Sequence, residues 1–283
     1  MKQQPFGTRG RTGVRASLVL LALLGLAARC TQALIPSTPA EQTRRAIRSL
    51  RDAIEQEDQK PQRLYVDYLI PLPPETKAED FDPWPGGLAQ MYPYAEDILK
   101  EILGGVVDDP GSCSSQILSA PDCCGFFCQE SKTSPENDVA AILFPSPDQL
   151  DKIAEIDAMV GDRTLLLFNR QFQRPADFGF FGGKGRSNEI VFDRFRWGFA
   201  FQESACRGED VKLTYETPEW KSCVICDENR ELGTQEIPLL PPQPSRPLYE
   251  DLEKTINKVL PEPLWMRKMG EAEEKGFKFQ RGE

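Results

Sequence analysis

Val139-Ala-Ala-Ile-Leu-Phe144 is followed by Ser146-Pro147-Asp148-Gln149, a periodic stretch to Met159, Gly161, and then Arg163-Thr-Leu-Leu-Leu-Phe168. The two apolar runs have the length and continuity of strands covered on both faces. Ser146 is a helix cap with Pro next to it and Gln149 in the capping-box position, and Gly161 is a stop signal. Strand, helix and strand in so short a span predict a βαβ unit with parallel strands.

Working outward, Thr38-Pro39-Ala40-Glu41 carries the same kind of start signal. Ala46, Ile47, Leu50, Ala53 and Ile54 then recur at helical spacing, predicting a helix to about Gln59. Arg63-Leu-Tyr-Val-Asp-Tyr-Leu-Ile70 reads as a strand ended by Pro71, Pro73 and Pro74. A second helix is expected over 94–103, stopped by Gly104-Gly105. Residues 108–137, rich in Asp, Pro, Ser and Cys, read as a long Cys-rich loop insertion. Three short segments, 196–203, 211–215 and 221–226, predict an antiparallel three-strand meander extending the same sheet. A stiff Pro-rich link over 239–247 leads to a closing helix at 249–260. The expected fold class is therefore α/β, a mixed sheet with helices packed on it. It forms one domain over 38–260, followed by a charged and aromatic tail, 261–283, that is either a docked arm or a partner-binding segment.

Lys2, Arg9, Arg11 and Arg15 precede an apolar run from Ala16 to Ala28, without an acidic residue. That layout predicts a cleavable leader over 1–33 with cleavage after Ala33, since the run is short for a bilayer span of roughly 20 residues. The Ser, Thr and Arg residues after Leu34 (Ser37, Thr38, Thr43, Arg44, Arg45, Arg48) extend it towards the bipartite signal-plus-transit leaders of complex plastids; ordinary secretion is the competing account. The formal charge is −10, and removing the five basic residues of the leader takes it to −15. Such a chain is repelled by nucleic acid and by anionic membranes. With no later segment apolar enough to span a bilayer, a soluble mature chain is expected, with no nucleic acid partner.

Histidine is absent, which removes Ser-His-Asp and Cys-His catalysis and His-containing zinc sites. Gly182-Gly183-Lys184-Gly185 lacks the Walker spacing, because Phe178 and Gly185 stand where Gly and Ser/Thr are needed. No catalytic residue is assigned. Asn169, Gln171 and Arg174 follow the strand ending at Phe168, where open α/β sheets bind ligands, and Lys184 and Arg186 could join Arg174 on an anionic group. Cys113, Cys123, Cys124 and Cys128 offer four sulfurs in a short span, enough for zinc, although the adjacent pair fits disulfides or free thiols equally well. Cys223 and Cys226 have redox spacing, but on a strand residues three apart face opposite ways, so buried structural thiols are expected.

Asp162-Arg-Thr-Leu-Leu-Leu-Phe-Asn-Arg-Gln-Phe172, Trp220-Lys-Ser-Cys-Val-Ile225 and Arg246-Pro-Leu-Tyr-Glu-Asp-Leu252, in this order of elements, resemble the plastid and cyanobacterial domain-of-unknown-function family that includes the low photosystem II accumulation proteins. The resemblance covers residues 40–260, most firmly from 138 onward; 113–128 and 179–185 depart from it. It implies a plastid location and a role in assembling or maintaining photosystem II, and supplies no agreed active site. With histidine missing and no complete catalytic constellation, a non-enzymatic role through binding other proteins is expected, with no cofactor. The other readings of the residues are a nucleotide- or phosphometabolite-binding enzyme using the crevice after Asn169, and a thiol-redox sensor.

Overall fold

Val139–Leu143 (β4) and Thr164–Phe168 (β5) lie side by side and parallel, every residue of both buried. They belong to a nine-stranded sheet seen in a computed structural model that describes residues 33–56, 61–73, 76, 84–179, 183–226 and 235–274. The sheet is built from Arg63–Asp67 (β1), Pro110–Ser119 (β2), Cys124–Ser131 (β3), β4, β5, Arg196–Cys206 (β6), Glu209–Glu216 (β7), Glu219–Cys226 (β8) and Gln235–Gln243 (β9). Its order is β2-β3-β4-β5-β1-β6-β7-β8-β9. The four central strands β4, β5, β1 and β6 are parallel and both wings are antiparallel. This is the mixed α/β sheet that the alternation of apolar strands and amphipathic helices predicts.

The helices are Pro39–Ile54 (α1), Gly87–Val106 (α2), Leu150–Val160 (α3), Gly183–Ser187 (α4), Tyr249–Val259 (α5) and Leu264–Glu274 (α6). Side chains alternate across a strand, so each central strand feeds two cores. Ala141, Leu143, Leu166 and Phe168 pack with Leu50 of α1 and Leu103 of α2. Ala140, Ile142, Leu165 and Leu167 pack with Ile153 and Ile156 of α3 on the other face. A third core joins Leu252 and Ile256 of α5 to Val211, Leu213 and Trp220. Full burial of a Leu, Ile or Phe side chain is worth about 1.5–3 kcal/mol, so these layers hold the domain.

The start signals work as read. Thr38 Oγ1 accepts from the Glu41 N–H at 3.2 Å, and Gln149 Oε1 accepts from the Ser146 N–H at 3.0 Å. Gly161 ends α3 with φ of 62°, a conformation that costs glycine little.

Three expectations are corrected. The span 108–137 is not a loop: it contains the β2–β3 hairpin, which adds the first two strands of the sheet. Its polar outer strand shows no apolar run because β2 is a largely exposed edge. The supposed Pro-rich link instead holds β9, making the meander four-stranded; Pro238, Pro241 and Pro242 are tolerated because an edge strand can lack amide donors. The first helix ends at Ile54, and the second runs from Gly87 through Gly104-Gly105 to Val106. Gly105 serves close packing, for a Cβ there would lie 2.4 Å from Ile47 Cδ1 of α1. The Ser/Thr/Arg stretch after Leu34 forms α1, as its start signal predicts, with Thr43 and Arg45 buried and Ala46 and Leu50 fully enclosed in the core. Within the tail, α6 is docked, and residues beyond Glu274 lie outside the described ones.

Candidate functional site

The carboxyl ends of β4, β5, β1 and β6 open on the same side of the sheet. Residues immediately after β4 and β5, Phe144 and Asn169, take left-handed backbone at φ of 50° and 49°, a conformation that turns the chain sharply and that Asn tolerates better than Phe. Asn169 then closes the gap between neighbouring strands. Its Oδ1 accepts from the Tyr68 N–H at 2.6 Å and its Nδ2 donates to the Tyr68 carbonyl at 2.9 Å. Gln171 Nε2 donates to the Asn169 carbonyl at 2.8 Å. Asn169 therefore clips the β1 and β5 exits together, and Gln171 braces the Asn169 main chain. Asn169→Ala should cost about 1–3 kcal/mol, from two lost hydrogen bonds and a strained φ. Asn169→Gly should cost less because it recovers the backbone part. Thermal unfolding of the two variants would show the order, and exchange at the Tyr68 amide should quicken in both.

The basic residues expected beside that clip go elsewhere. Arg174 is exposed and pairs with Asp177 at 3.2 Å, three residues on. Arg186 pairs with Asp151 of α3. Lys184 is exposed on α4. The five residues do not form one pocket.

The residue that does face inward here is Arg170. It is 7% exposed, with its guanidinium carbon 4.1 Å from the Tyr65 ring centre and 4.5 Å from that of Trp197. Its Nη1 donates to Asp67 Oδ1 at 3.1 Å and its Nη2 to Gln173 Oε1 at 3.3 Å. Asp67, the last residue of β1, also accepts from Gln202 Nε2, and Gln202 Oε1 accepts from Arg246 Nε at 3.1 Å. Burial pushes the Asp67 carboxyl above the ordinary carboxylate range, while Arg170, Gln202 and Arg246 pull the other way. Burial also raises the Tyr65 hydroxyl, which donates to the Val191 carbonyl at 3.2 Å.

Asp67, Gln173, Gln202, Glu203 and Arg246 line an open cleft of about 410 Å³. Leu69, Phe201 and Glu203 continue it into a more apolar hollow of about 280 Å³ beside Gln42. The larger cleft has no Cys, Lys or His among its lining residues. It offers guanidinium and amide donors beside one buried carboxylate, a makeup suited to holding a polar group. The sequence contained one signal for this cluster: Asp67 is the single carboxylate in a strand that is otherwise apolar after Arg63, and a carboxylate held away from water needs a partner.

The cysteines are divided by the pleat. Cys113 and Cys123 pack towards the α1–α2 core, Cys124 towards the α3 core, and Cys128 opens beside Met159 and Val160 on that second face. Cys113, Cys123, Cys124, Cys128, Cys206 and Cys223 are free thiols. Burial pushes the Cys124 and Cys223 thiols up to about 12 and raises Cys113 and Cys128 as well, the reverse of an activated thiolate. The Cys226 side chain lies outside the described residues. Among the described residues no three Cys, Asp or Glu side chains gather into a metal-binding group.

Fold and cleft together define an α/β domain with a mixed nine-stranded sheet and a polar, arginine-edged cleft at the carboxyl ends of its parallel strands. The chain belongs to the family described as Domain of unknown function (DUF1995), which matches residues 36–254. No curated protein and no solved structure matches it. No helix among the described residues is long and apolar enough to cross a membrane.

Proposed function

We propose that this chain is a non-enzymatic, protein-binding factor of the plastid that assists the assembly or maintenance of photosystem II. The observation that carries the binding role is an apolar surface at one end of the domain. Arg267 of α6 donates to both carboxylate oxygens of buried Glu209, at 2.5 and 2.6 Å, and anchors the helix beside the β6–β7 turn. Leu264 also approaches Gly208 of that turn. The anchored helix leaves Trp265 62% and Met266 45% exposed, with Met269 also outward. Leu248 and Tyr249 are exposed as well, and Tyr249 reaches the same turn through a hydrogen bond with Cys206. An exposed cluster of aromatic and Met side chains is the composition of a protein-binding hot spot. The photosystem II part of the reading is supported by the resemblance of the three sequence stretches and by the leader-like start of the chain; the segment after Leu34, folded into α1, gives it no support.

Immobilised full-length chain should retain photosystem II reaction-centre subunits from a detergent extract of thylakoids. Trp265→Glu should weaken that retention at least about tenfold while the melting temperature stays put, because truncating a hot-spot aromatic costs about 2 kcal/mol. Retention unchanged by Trp265→Glu would remove this surface from the account. A fluorescently tagged chain found outside the plastid would overturn the photosynthetic role.

A further inference from the structure

We propose that hydrolysis of the Ala33–Leu34 peptide bond creates the mature terminus, and that Glu236 is the built-in receptor for the new Leu34 ammonium group. The Leu34 nitrogen lies 2.7 Å from Glu236 Oε2, on the edge strand β9. The Leu34 carbonyl accepts from Arg45 Nη2 at 3.1 Å and from Thr214 Oγ1 at 3.3 Å. Arg45 is itself 3% exposed and fixed by Glu216. Both polar groups of a residue just ahead of the first helix are thus held by side chains from three separate elements, α1, β7 and β9.

Two further observations fit a boundary at this bond. Leu34–Glu283 forms one compact unit that begins at this residue. Among the described residues the three buried cores lie beyond Leu34, and Ile35 packs against the first of them. A cut further into α1 would remove Ala46, Leu50 and Ala53 from the first core.

As an amide, Leu34 gives Glu236 one neutral donor. Among the described residues no Lys or Arg forms an ion pair with Glu236, although it is half-buried. Cleavage supplies the missing charge. An endopeptidase of the signal-peptidase class adds water across the C–N bond: Ala33 leaves as a carboxylate, and Leu34 gains a hydrogen and, near neutral pH, a further proton to become an ammonium. The single neutral hydrogen bond becomes a charge-assisted one. The inference is independent of the final compartment, since secreted and plastid-bound chains would both expose this terminus.

The pairing favours the protonated amine, so its pKa in the folded chain lies above the free α-amino value of about 7.7–8.0. The added stability is present below that value and is lost as pH rises through the raised one. The test compares Leu34–Glu283 with a free terminus against the same chain acetylated at Leu34, each with Glu236 or Glu236→Gln. Acetylation keeps the N–H and removes only the charge. At pH 7 the free chain should melt about 2–4 °C above the acetylated one. The gap should close above pH 10 and should be absent in Glu236→Gln. Equal melting of the free and acetylated chains at pH 7 would overturn the receptor role. Independently, N-terminal sequencing of the full chain after passage through a eukaryotic secretory pathway should begin at Leu34; any other start would overturn the cleavage assignment.

Discussion

Asp157→Ala is expected to destabilise the domain by about 3–5 kcal/mol, the loss that follows when one partner of a buried ion pair is removed. Asp157 sits on α3 at 5% exposure and its Oδ1 accepts from Arg63 Nε, while Arg63 is 2% exposed at the start of β1. The remaining guanidinium hydrogens go to main-chain oxygens, with Nη1 donating to the Arg163 carbonyl at 2.6 Å and to Gln62 at 3.0 Å. Without the carboxylate, a full positive charge stays inside the protein with only carbonyl dipoles to offset it. Arg194 also pairs with Asp157 but is 42% exposed, so Arg194→Ala should cost no more than about 1 kcal/mol. Urea unfolding of both variants, with the slope unchanged, gives the comparison. Equal losses in the two would mean that the Arg63–Asp157 pair is not what joins β1 to α3. Against a typical total stability of about 5–15 kcal/mol, the expected loss is enough to lower the amount of folded protein in a cell.

Arg170→Ala should have an effect of similar size, about 3–5 kcal/mol near pH 7, but with a pH dependence. Two things are lost at once: the stack on Tyr65 and Trp197, and the counter-charge of Asp67. Burial already holds the Asp67 carboxyl above its usual range, and Arg170 is the largest influence opposing that rise. Removing it lets the folded-state pKa climb further. A carboxyl whose folded pKa is raised contributes stability below its unfolded value, about 3.9, and loses that contribution as pH rises through the folded value. The deficit of Arg170→Ala relative to the parent should therefore be largest near neutral pH and shrink towards pH 4. The same deficit at both values would assign the loss to packing on the two rings. A double-mutant cycle with Asp67→Ala separates the two contributions.

These two residues also mark how far local sequence carries. The βαβ core at 139–168 was legible because its information is local: apolar runs of strand length, a Ser146–Gln149 capping box, and Gly161 at the turn. The meander was legible for the same reason, and so was α5, with Leu252 and Ile256 one turn apart and buried on one face. The β2–β3 hairpin and β9 were missed because edge strands need neither an apolar run nor a proline-free backbone; the neighbouring strand supplies what fixes them.

The candidate site was half legible. Its location beyond the β5 exit followed from the parallel strands, but the residues chosen there were the clip and the surface. Arg170 acquires its character from Asp67, Tyr65 and Trp197, which stand 103, 105 and 27 positions away in the chain. Leu34 meets Glu236 across 202 positions, and Arg63 meets Asp157 across 94. The sequence alone determined the central βαβ unit, the amphipathic helices that cover it and the first three strands of the meander, and that the chain contains no histidine chemistry. Which charges became buried partners was decided only by the tertiary structure, because a charge is costly inside a protein until folding brings its counterpart within a few ångströms, and no local pattern records that meeting.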